Sequence, residues 1–323
     1  MKSSLRSFIT VAETLNISQS AKQLFLTQQC VSGHIKRLES HYGAPLFYRK
    51  PRLSLTLAGE ILQKTLKKIS ILENNLEIEM QEVLSGSKGE LMFGIHAARS
   101  RIVMPNVLAA FAPKFPNVKI NIVYGETRQL EKMLLDGKID MFFGVNARRH
   151  DEYVYWHLMD EPLFLIVSNK VLSIYFDSDY RKRLCQSHAV VDLADFVDVP
   201  FIFTHSISRT QDIFTEFIVS KDINLKNIIT VSDYSLHVSL CARNLGACIC
   251  PRMMLEQMIR WNGNSDKENR LNAFPVKGLT QTLRLELISH VYAHRPQYFS
   301  AFREAFTSEL STYKSPLLDN AYS

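Results

Sequence analysis

Residues 24–39, LFLTQQCVSGHIKRLE, combine helical periodicity with a polar face. Val31, Ile35 and Leu38 recur at the spacing that places them on one side of an α-helix. The residues away from that side include Gln28, Gln29, Ser32, Gly33 and Lys36. The stretch therefore predicts a helix whose polar face is either a solvated surface or a surface that recognises a ligand.

The preceding residues predict two more helices and a tight turn. A first helix spans about 4–15, and Ser18 is the expected N-cap of a short second helix. Residues 25–26 form the turn, and Thr27 caps the third helix, which runs to about Tyr42. A short helix, a turn and a longer helix form a helix-turn-helix, whose second helix enters the major groove of DNA.

Residues near the start of the third helix are the ones expected to reach base edges. Gln28 and Gln29 can each pair bidentately with adenine, and Ser32 can donate or accept. Lys36 and Arg37 lie further along the helix, where phosphates are the expected partners.

The next segment, GAPLFYRKPRLSLTLAGE, predicts a hairpin with a cationic tip. Two short strands, one at 46–47 and one carrying the alternating Leu53, Leu55 and Leu57, flank the turn at 49–52. Its cationic residues are Arg49, Lys50 and Arg52. Such a wing places positive charge against phosphates or in a narrow minor groove.

The charge distribution agrees with this interpretation. Residues 1–58 contain eight Lys or Arg against two Glu, so the whole net charge of +6 lies there and the remaining residues are balanced. A small basic module on a neutral body is typical of a polyanion-binding protein, and a basic surface kept for solubility is the weaker alternative.

The N-terminal module closely resembles the LysR-type transcriptional regulators. The resemblance is carried by LRSFITVAETLNISQSAKQLFLTQQCVSGHIKRLESHYGAPLF followed by LTLAGE. It implies that Gln28, Gln29, Ser32 and Gly33 contact bases and that Arg52 lies at the wing tip. Pro is usual in that family at the position of Gln29, and a long polar or basic residue at the position of Gly33, so sequence preference is expected to differ there. The full predicted DNA-contacting set is Thr27, Gln28, Gln29, Ser32, Gly33, Lys36, Arg37, Arg49, Lys50 and Arg52.

Bulk composition indicates an ordinary globular protein of two or three domains. The chain has 323 residues, 46% hydrophobic and 22% charged. It shows no apolar run long enough to span a bilayer and no leader-like N-terminus, and its five cysteines form no CxxC pair. These features predict a cytoplasmic protein.

Residues 59–88 predict a dimerising linker helix and hinge, because neither Gly nor Pro interrupts the chain between Gly59 and Gly86. An apolar seam runs along it and needs a partner, which favours a coiled-coil homodimer. The seam residues are Leu62, Leu66, Ile69, Leu72, Leu76, Met80 and Val83. The family resemblance implies a homotetramer of two such dimers.

The remaining residues alternate strand and helix patterns twice, which predicts an α/β fold. The expected fold is thus an N-terminal winged helix-turn-helix (1–58), a long linker helix, and two doubly wound α/β lobes. Lobe I would comprise about 89–163 and 271–323, and lobe II about 164–270. GELMFGIH through IDMFFGV, and more weakly NLGACICP, resemble the LysR-type effector domain, which is like a periplasmic binding protein. No function is assigned to 171–195.

In doubly wound lobes a ligand binds at the carboxyl ends of the strands. Arg99 and Arg101 lie at a predicted helix start there, which favours a small anionic metabolite. The alternative is that either Arg points to solvent or pairs with Glu126 or Asp233. The full predicted effector-binding set is Ala98, Arg99, Ser100, Arg101, Glu126, Thr127, Thr204, Ser206 and Ser232.

Catalytic, cofactor and metal sites are not expected, since GxGxxG, P-loop, GxSxG and HExxH motifs are all missing. His290 and His294 lack further ligands at useful spacing and are interpreted as structural or surface residues. Cys241, Cys248 and Cys250 leave open a thiol-based redox-responsive regulator, although buried cysteines usually act as small hydrophobes. The expected partners are double-stranded DNA, the effector and a second copy of the chain, with RNA polymerase as a further candidate.

Overall fold

The computed structural model describes residues 3–50, 52–85, 89–184, 189–204 and 209–313, and within the linker helix no side chain is described at 74, 78–79 or 81–85. The chain divides into two compact units. One comprises the residues up to Gly86 together with Leu135–Gly137 and Tyr292–His294, and the other comprises the remainder. None of the helices in the described residues has the length and apolar composition needed to cross a membrane.

The N-terminal unit has the predicted order of elements. These are α1 (Ser3–Thr14), α2 (Ile17–Gln23), α3 (Gln28–Tyr42), β1 (Phe47–Tyr48), β2 (Ser54–Leu55) and α4 (Leu57–Ser85). One predicted cap was wrong, because Asn16, not Ser18, caps α2 by accepting a hydrogen bond from the Gln19 N–H at 3.1 Å. Asn16 lies at the last extended position before the helix, where a short side chain reaches the free N–H groups.

The apolar faces of α1, α2 and α3 pack into one small core. Phe8 and Val31 are fully buried in it, and the Ser7 hydroxyl is 2.6 Å from Nδ1 of buried His34. The core fixes α3 in place, so its opposite face is held toward solvent.

The predicted wing is present as an antiparallel pair in which Phe47 faces Leu55. Leu57 was expected in the second strand but begins α4. Gly59 explains how α4 starts so close to the wing, because a Cβ there would lie 2.2 Å from the Leu46 carbonyl oxygen. Only glycine allows this approach.

The predicted seam of α4 is corrected at its start. Leu62 and Leu66 are buried in the core of their own unit, so they cannot face a partner chain. The apolar side chains of α4 that are exposed are Leu57, Ile61, Ile69, Leu72, Leu76 and Met80. Val83 lies outside the described side chains.

The elements of lobe I, in the second unit, are β3 (Gly89–Ile95), α5 (Ala97–Phe111), β4 (Val118–Tyr124), α6 (Thr127–Leu135), β5 (Met141–Val145), β6 (Tyr153–Glu161), β12 (Leu283–His290) and α12 (Gln297–Thr312). Its strands form a five-stranded sheet of order β4-β3-β5-β12-β6. β3 is parallel to β4 and β5, whereas β12 is antiparallel to β5 and β6. The sheet is therefore mixed, with a parallel part that follows the expected doubly wound pattern.

The elements of lobe II are β7 (Leu163–Ser168), α7 (Asn169–Tyr175), α8 (Ser178–Leu184), β8 (Pro200–Thr204), α9 (Arg209–Ser220), β9 (Lys226–Val231), α10 (Tyr234–Ala242), β10 (Ala247–Pro251), α11 (Leu255–Asn262) and β11 (Leu271–Pro275). Lobe II has the same plan as lobe I, with a sheet of order β11-β7-β10-β8-β9. The predicted lobe boundary at 271 was wrong, because β11 pairs with β7 of lobe II. The chain returns to lobe I only at β12.

Candidate DNA-contacting surface and effector cleft

The start of α3 is built as a recognition helix requires. Thr27 Oγ1 accepts a hydrogen bond from the Cys30 N–H at 3.1 Å, so Thr27 caps the helix as predicted. At the other end Gly43 adopts φ +67° and terminates α3 in the left-handed conformation. Both ends are therefore fixed by local sequence.

Every described residue of the predicted DNA-contacting set is at least partly accessible. Thr27, Gln28, Gln29, Lys36, Arg37, Arg49, Lys50 and Arg52 are exposed, and Ser32 and Gly33 are half-buried. A Cβ added at Gly33 would have no atom within 4 Å, so the helix leaves open space there.

The wing tip carries its cations toward solvent, with one partial exception. Arg49 lies 3.5 Å from Glu39, which reduces its effective charge, while Lys50 and Arg52 are exposed. Phe25 was missed by the sequence analysis. It is 95% exposed at a positive φ of 55° in the turn before α3. The only sequence signal for it was an aromatic residue in a predicted turn.

Arg99 is buried in the second unit, and its guanidinium is already paired within the protein. Its guanidinium donates to Glu161 at 2.6 Å, and the side chains of both residues are buried. The Met253 N–H also donates to Glu161, at 2.7 Å. The expected use of Arg99 as a fork for an effector is corrected, because its charge is already neutralised by a buried carboxylate.

Arg101 pairs with Asp233, which is one of the alternatives that the sequence left open. It donates to Asp233 and to the Ser235 hydroxyl, each at 3.2 Å. Arg101 belongs to α5 in lobe I and Asp233 caps α10 in lobe II, so the ion pair bridges the two lobes. Hydrogen bonding by the Ser235 N–H and by Arg101 outweighs burial and lowers the pKa of Asp233.

A narrow cavity of about 30 Å³ lies between the lobes. It is lined by His96, Arg99, Gly125, Glu126, Thr127, Arg128, Phe143, Val145, Arg209, Thr210 and Tyr234. Arg99, Glu126 and Thr127 of the predicted effector set are among these residues. Ala98, Ser100, Arg101, Thr204 and Ser232 do not line it, and Ser206 lies outside the described residues.

Besides Arg99, two cations line this cleft that the sequence did not predict, Arg128 and Arg209. Arg128 of lobe I donates a hydrogen bond to Asp212 of lobe II at 3.3 Å. Arg209 forms a longer ion pair with the same carboxylate, at 3.9 Å. Nε and Nη2 of Arg209 are buried and have no hydrogen-bond partner among the described residues. Burial, and then the charge of Arg128, lowers the pKa of Arg209. One carboxylate thus faces two guanidinium groups.

Glu126 lies in the same cleft, and the imidazole ring of His96 lies beside it. His96 Nε2 is 3.2 Å from Glu126, and His96 Nδ1 accepts the Ala98 N–H at the start of α5. The unsatisfied N–H groups of Arg209 are therefore the strongest recognition feature of the cleft.

Cys241, Cys248 and Cys250 are free thiols buried in lobe II. A hydrogen bond with the adjoining thiol is the largest cause that raises the pKa of Cys248 and of Cys250, and burial adds to it. Because the thiolate is the reactive form, the thiols of Cys248 and Cys250 are poorly suited to rapid reaction with an oxidant.

Family models match both parts of the chain. The LysR substrate binding domain matches residues 85–311, and the bacterial regulatory helix-turn-helix protein of the lysR family matches residues 3–60. The first match alone covers more than half of the 323 residues.

Curated relatives are transcriptional regulators. The Hca operon transcriptional activator HcaR of Escherichia coli is 26% identical over 256 residues, which cover 77% of this chain and 81% of HcaR. A probable nitrogen assimilation transcriptional activator of Synechococcus elongatus is 28% identical over 189 residues, 58% of this chain and 56% of that protein. The matched part therefore spans little more than half the length of several curated relatives.

Solved structures share the fold over nearly the whole chain. A full-length OxyR variant from Pseudomonas aeruginosa has a TM-score of 0.64 at 16% identity, covering 94% of this chain and 93% of that one. Full-length CbnR in complex with its target DNA has a TM-score of 0.57 at 19% identity, covering 96% and 100%.

Proposed function

The chain belongs to the LysR family, and from that premise we propose that it is a transcriptional regulator that binds duplex DNA under the control of a small effector. The single observation that carries the DNA-binding proposal is the exposed polar start of α3, held by the Thr27 cap above a closed core. The wing cations and the net charge of +6 in residues 1–58 support it.

The role of each DNA-contacting side chain follows from its chemistry. Gln28 would read a base edge, because its amide can donate and accept at once. Lys50 and Arg52 would neutralise phosphates or enter the minor groove. A half-buried Gly33 offers no side chain, so base preference at that position would be weak.

Substitution of one residue of each kind tests the proposal. Arg52→Ala should weaken binding to all sequences and reduce the slope of log K against log salt by about one. Gln28→Ala should instead reduce discrimination between operator and mutated operator by roughly 1–3 kcal/mol. Lys114→Ala, an exposed cation of the second unit, is the matched charge control and should change neither quantity. Unchanged DNA binding and specificity in both test variants would contradict the assignment of α3 and the wing as the DNA-contacting surface.

The effector would be a small anion bound in the cleft, as expected from the sequence. The residue that binds it would be Arg209, and not Arg99 or Arg101. The unsatisfied Nε and Nη2 of Arg209 present two donors to a carboxylate or phosphate. Ordinary ligand pockets have roughly 300–1,000 Å³, whereas this cavity has about 30 Å³. Effector entry would therefore separate the lobes and break the bridges from Arg101 to Asp233 and from Arg128 to Asp212.

Calorimetry of the full chain against a panel of small carboxylates, phosphates and amines tests this site. A carboxylate or phosphate should bind, and Arg209→Gln should weaken it by about 1.5–3 kcal/mol. Arg243→Gln is the control, because Arg243 is exposed and does not line the cavity. A cationic effector, or an anionic one that binds Arg209→Gln with wild-type affinity, would contradict the proposal.

The functional form would be a homodimer joined along α4, and a homotetramer is the larger assembly that the sequence resemblance implies. The exposed apolar residues Leu72, Leu76 and Met80 would form the contact. Dimeric binding predicts an operator with two half-sites related by two-fold symmetry. A cytoplasmic location and an interaction with RNA polymerase remain predictions.

A further inference from the structure

Three cysteine thiols and one histidine ring meet inside lobe II. His237 and Cys241 lie one turn apart on α10, and Cys248 and Cys250 alternate along β10, so each pair shares a face of its element. Helix α10 packs against β10, which brings the two pairs together. All four side chains are buried.

The distances suit a common ligand. Cys248 Sγ lies 3.4 Å from Cys241 Sγ and 3.5 Å from Cys250 Sγ. The ligand atoms of His237, Cys248 and Cys250 all lie within 4.8 Å of one another. Tetrahedral zinc at about 2.3 Å from each sulfur places neighbouring sulfurs roughly 3.8 Å apart, so His237, Cys248 and Cys250 need only small adjustments. Cys241 lies beside Cys248 but outside that group of three, so its side chain would have to move closer to the ion.

His237 has the orientation of a metal ligand. Its Nε2 lies 3.2 Å from the carbonyl oxygen of Phe203, which can only accept, so Nε2 carries the proton. Nδ1 then keeps its lone pair, and it is buried without a hydrogen-bond partner among the described residues. The residue is only 1% exposed. An N–H donated to a backbone carbonyl is the outer contact that fixes ring and tautomer in metal-binding histidines.

We propose that His237, Cys248 and Cys250, with Cys241 as the fourth ligand beside Cys248, bind one Zn²⁺ ion. Soft thiolates together with imidazole select zinc or copper over calcium or magnesium. Charge favours zinc over copper, because three thiolates with a divalent ion keep one net negative charge, whereas with monovalent copper they would keep two in a buried site. The ion would tie α10 to β10, independently of the effector cleft.

Zinc binding must release the thiol protons, which leave as the thiolates form bonds to the ion. Because protons compete with zinc for these thiolates, zinc affinity should fall as the pH is lowered. Since the site is fully buried, the ion would enter while the chain folds.

Metal analysis of the untagged full-length chain, expressed with added zinc, tests the site. We expect one Zn²⁺ per chain in the wild type and in Cys30→Ser, a matched control whose cysteine lies on α3. Cys248→Ser and Cys250→Ser should lose most of the zinc. Refolding the wild type with Co²⁺ should produce thiolate-to-cobalt charge-transfer absorption that the Cys248→Ser/Cys250→Ser double variant lacks.

X-ray absorption at the zinc edge of the wild type keeps the proposal testable if a variant does not fold. It should show sulfur at about 2.3 Å together with one nitrogen. Wild-type protein without zinc, both as purified and after refolding with Zn²⁺, would overturn the proposal. Zinc retained by a folded double variant, or a Cys241–Cys248 disulfide found by mass analysis in the zinc-free chain, would also overturn it.

Discussion

The guanidinium of Arg99 donates to Glu161 at 2.6 Å, and both side chains are buried. The pair joins the first turn of α5 to the end of β6, and the Met253 N–H of lobe II donates to the same carboxylate. Arg99 therefore stabilises the frame around the cleft, and its charge is not available to an effector in the way that its position in the sequence suggested.

Arg99→Ala should lower the free energy of unfolding by about 3–5 kcal/mol, because Glu161 would remain buried without its partner. Chemical denaturation of the full chain, following the second unit, measures this change. The double variant Arg99→Met/Glu161→Leu should lose much less, since no unpaired charge is left in the interior. A loss of less than 1 kcal/mol in the single variant would contradict the buried ion pair.

The contrast between Arg99 and α3 shows which features the sequence could predict. The cap at Thr27 and the apolar spacing of α3 are local, and the structure reproduces both. The partner of Arg99 lies 62 residues away in the chain, and β6, which ends at Glu161, was not predicted at all. Arg209 was missed for the same reason, because its place in the cleft depends on how α9 and α6 approach each other.

The sheets show the same contrast between features set by local sequence and features set by distant partners. Parallel βα units were predicted from their strand and helix patterns, whereas β11 was assigned to the wrong lobe because its partner β7 lies about a hundred residues earlier. Alternation reports which face of a strand is buried, and it does not report which strand lies beside it.

Gly33→Ala should raise the free energy of unfolding of the N-terminal unit by about 0.5–1 kcal/mol, because alanine is the better helix former and no atom would meet its Cβ. Thermal denaturation measures this change. Gly59→Ala is the matched control and should destabilise, since its Cβ would lie 2.2 Å from the Leu46 carbonyl oxygen. A destabilising Gly33→Ala would indicate that the space over α3 is not open.

Ionisation of Asp140 should lower the free energy of unfolding as the pH rises from about 4 to about 6. Burial raises its pKa from 3.8 to about 6, although the Met92 N–H donates to it at 2.7 Å. The folded state thus holds this proton more tightly than the unfolded state, so the stabilisation is present at low pH and is lost as the pH passes through the folded pKa.

Asp140→Asn removes this titration while keeping an oxygen that can accept from Met92. The variant should therefore be more stable than the wild type at pH 7, by up to about 3 kcal/mol, and the difference should shrink toward pH 4. Urea titrations across this range measure the difference, with the exposed Asp151→Asn as control. A difference that does not change with pH would show that Asp140 titrates normally in the folded protein.

Two leucines of α4 should respond differently to the same substitution. Leu76 is 59% exposed, whereas Leu66 is 1% exposed and packs in the core of the N-terminal unit. Leu76→Asp should dissociate the proposed dimer and leave the monomer folded, because the carboxylate would lie at the contact between helices. Leu66→Asp should destabilise the N-terminal unit itself, because a charge would be buried without a partner.

Sedimentation at micromolar concentration measures the mass, and circular dichroism measures folding. A Leu76→Asp protein that stays dimeric, or a wild type that sediments as a monomer, would show that the exposed seam of α4 does not join two chains.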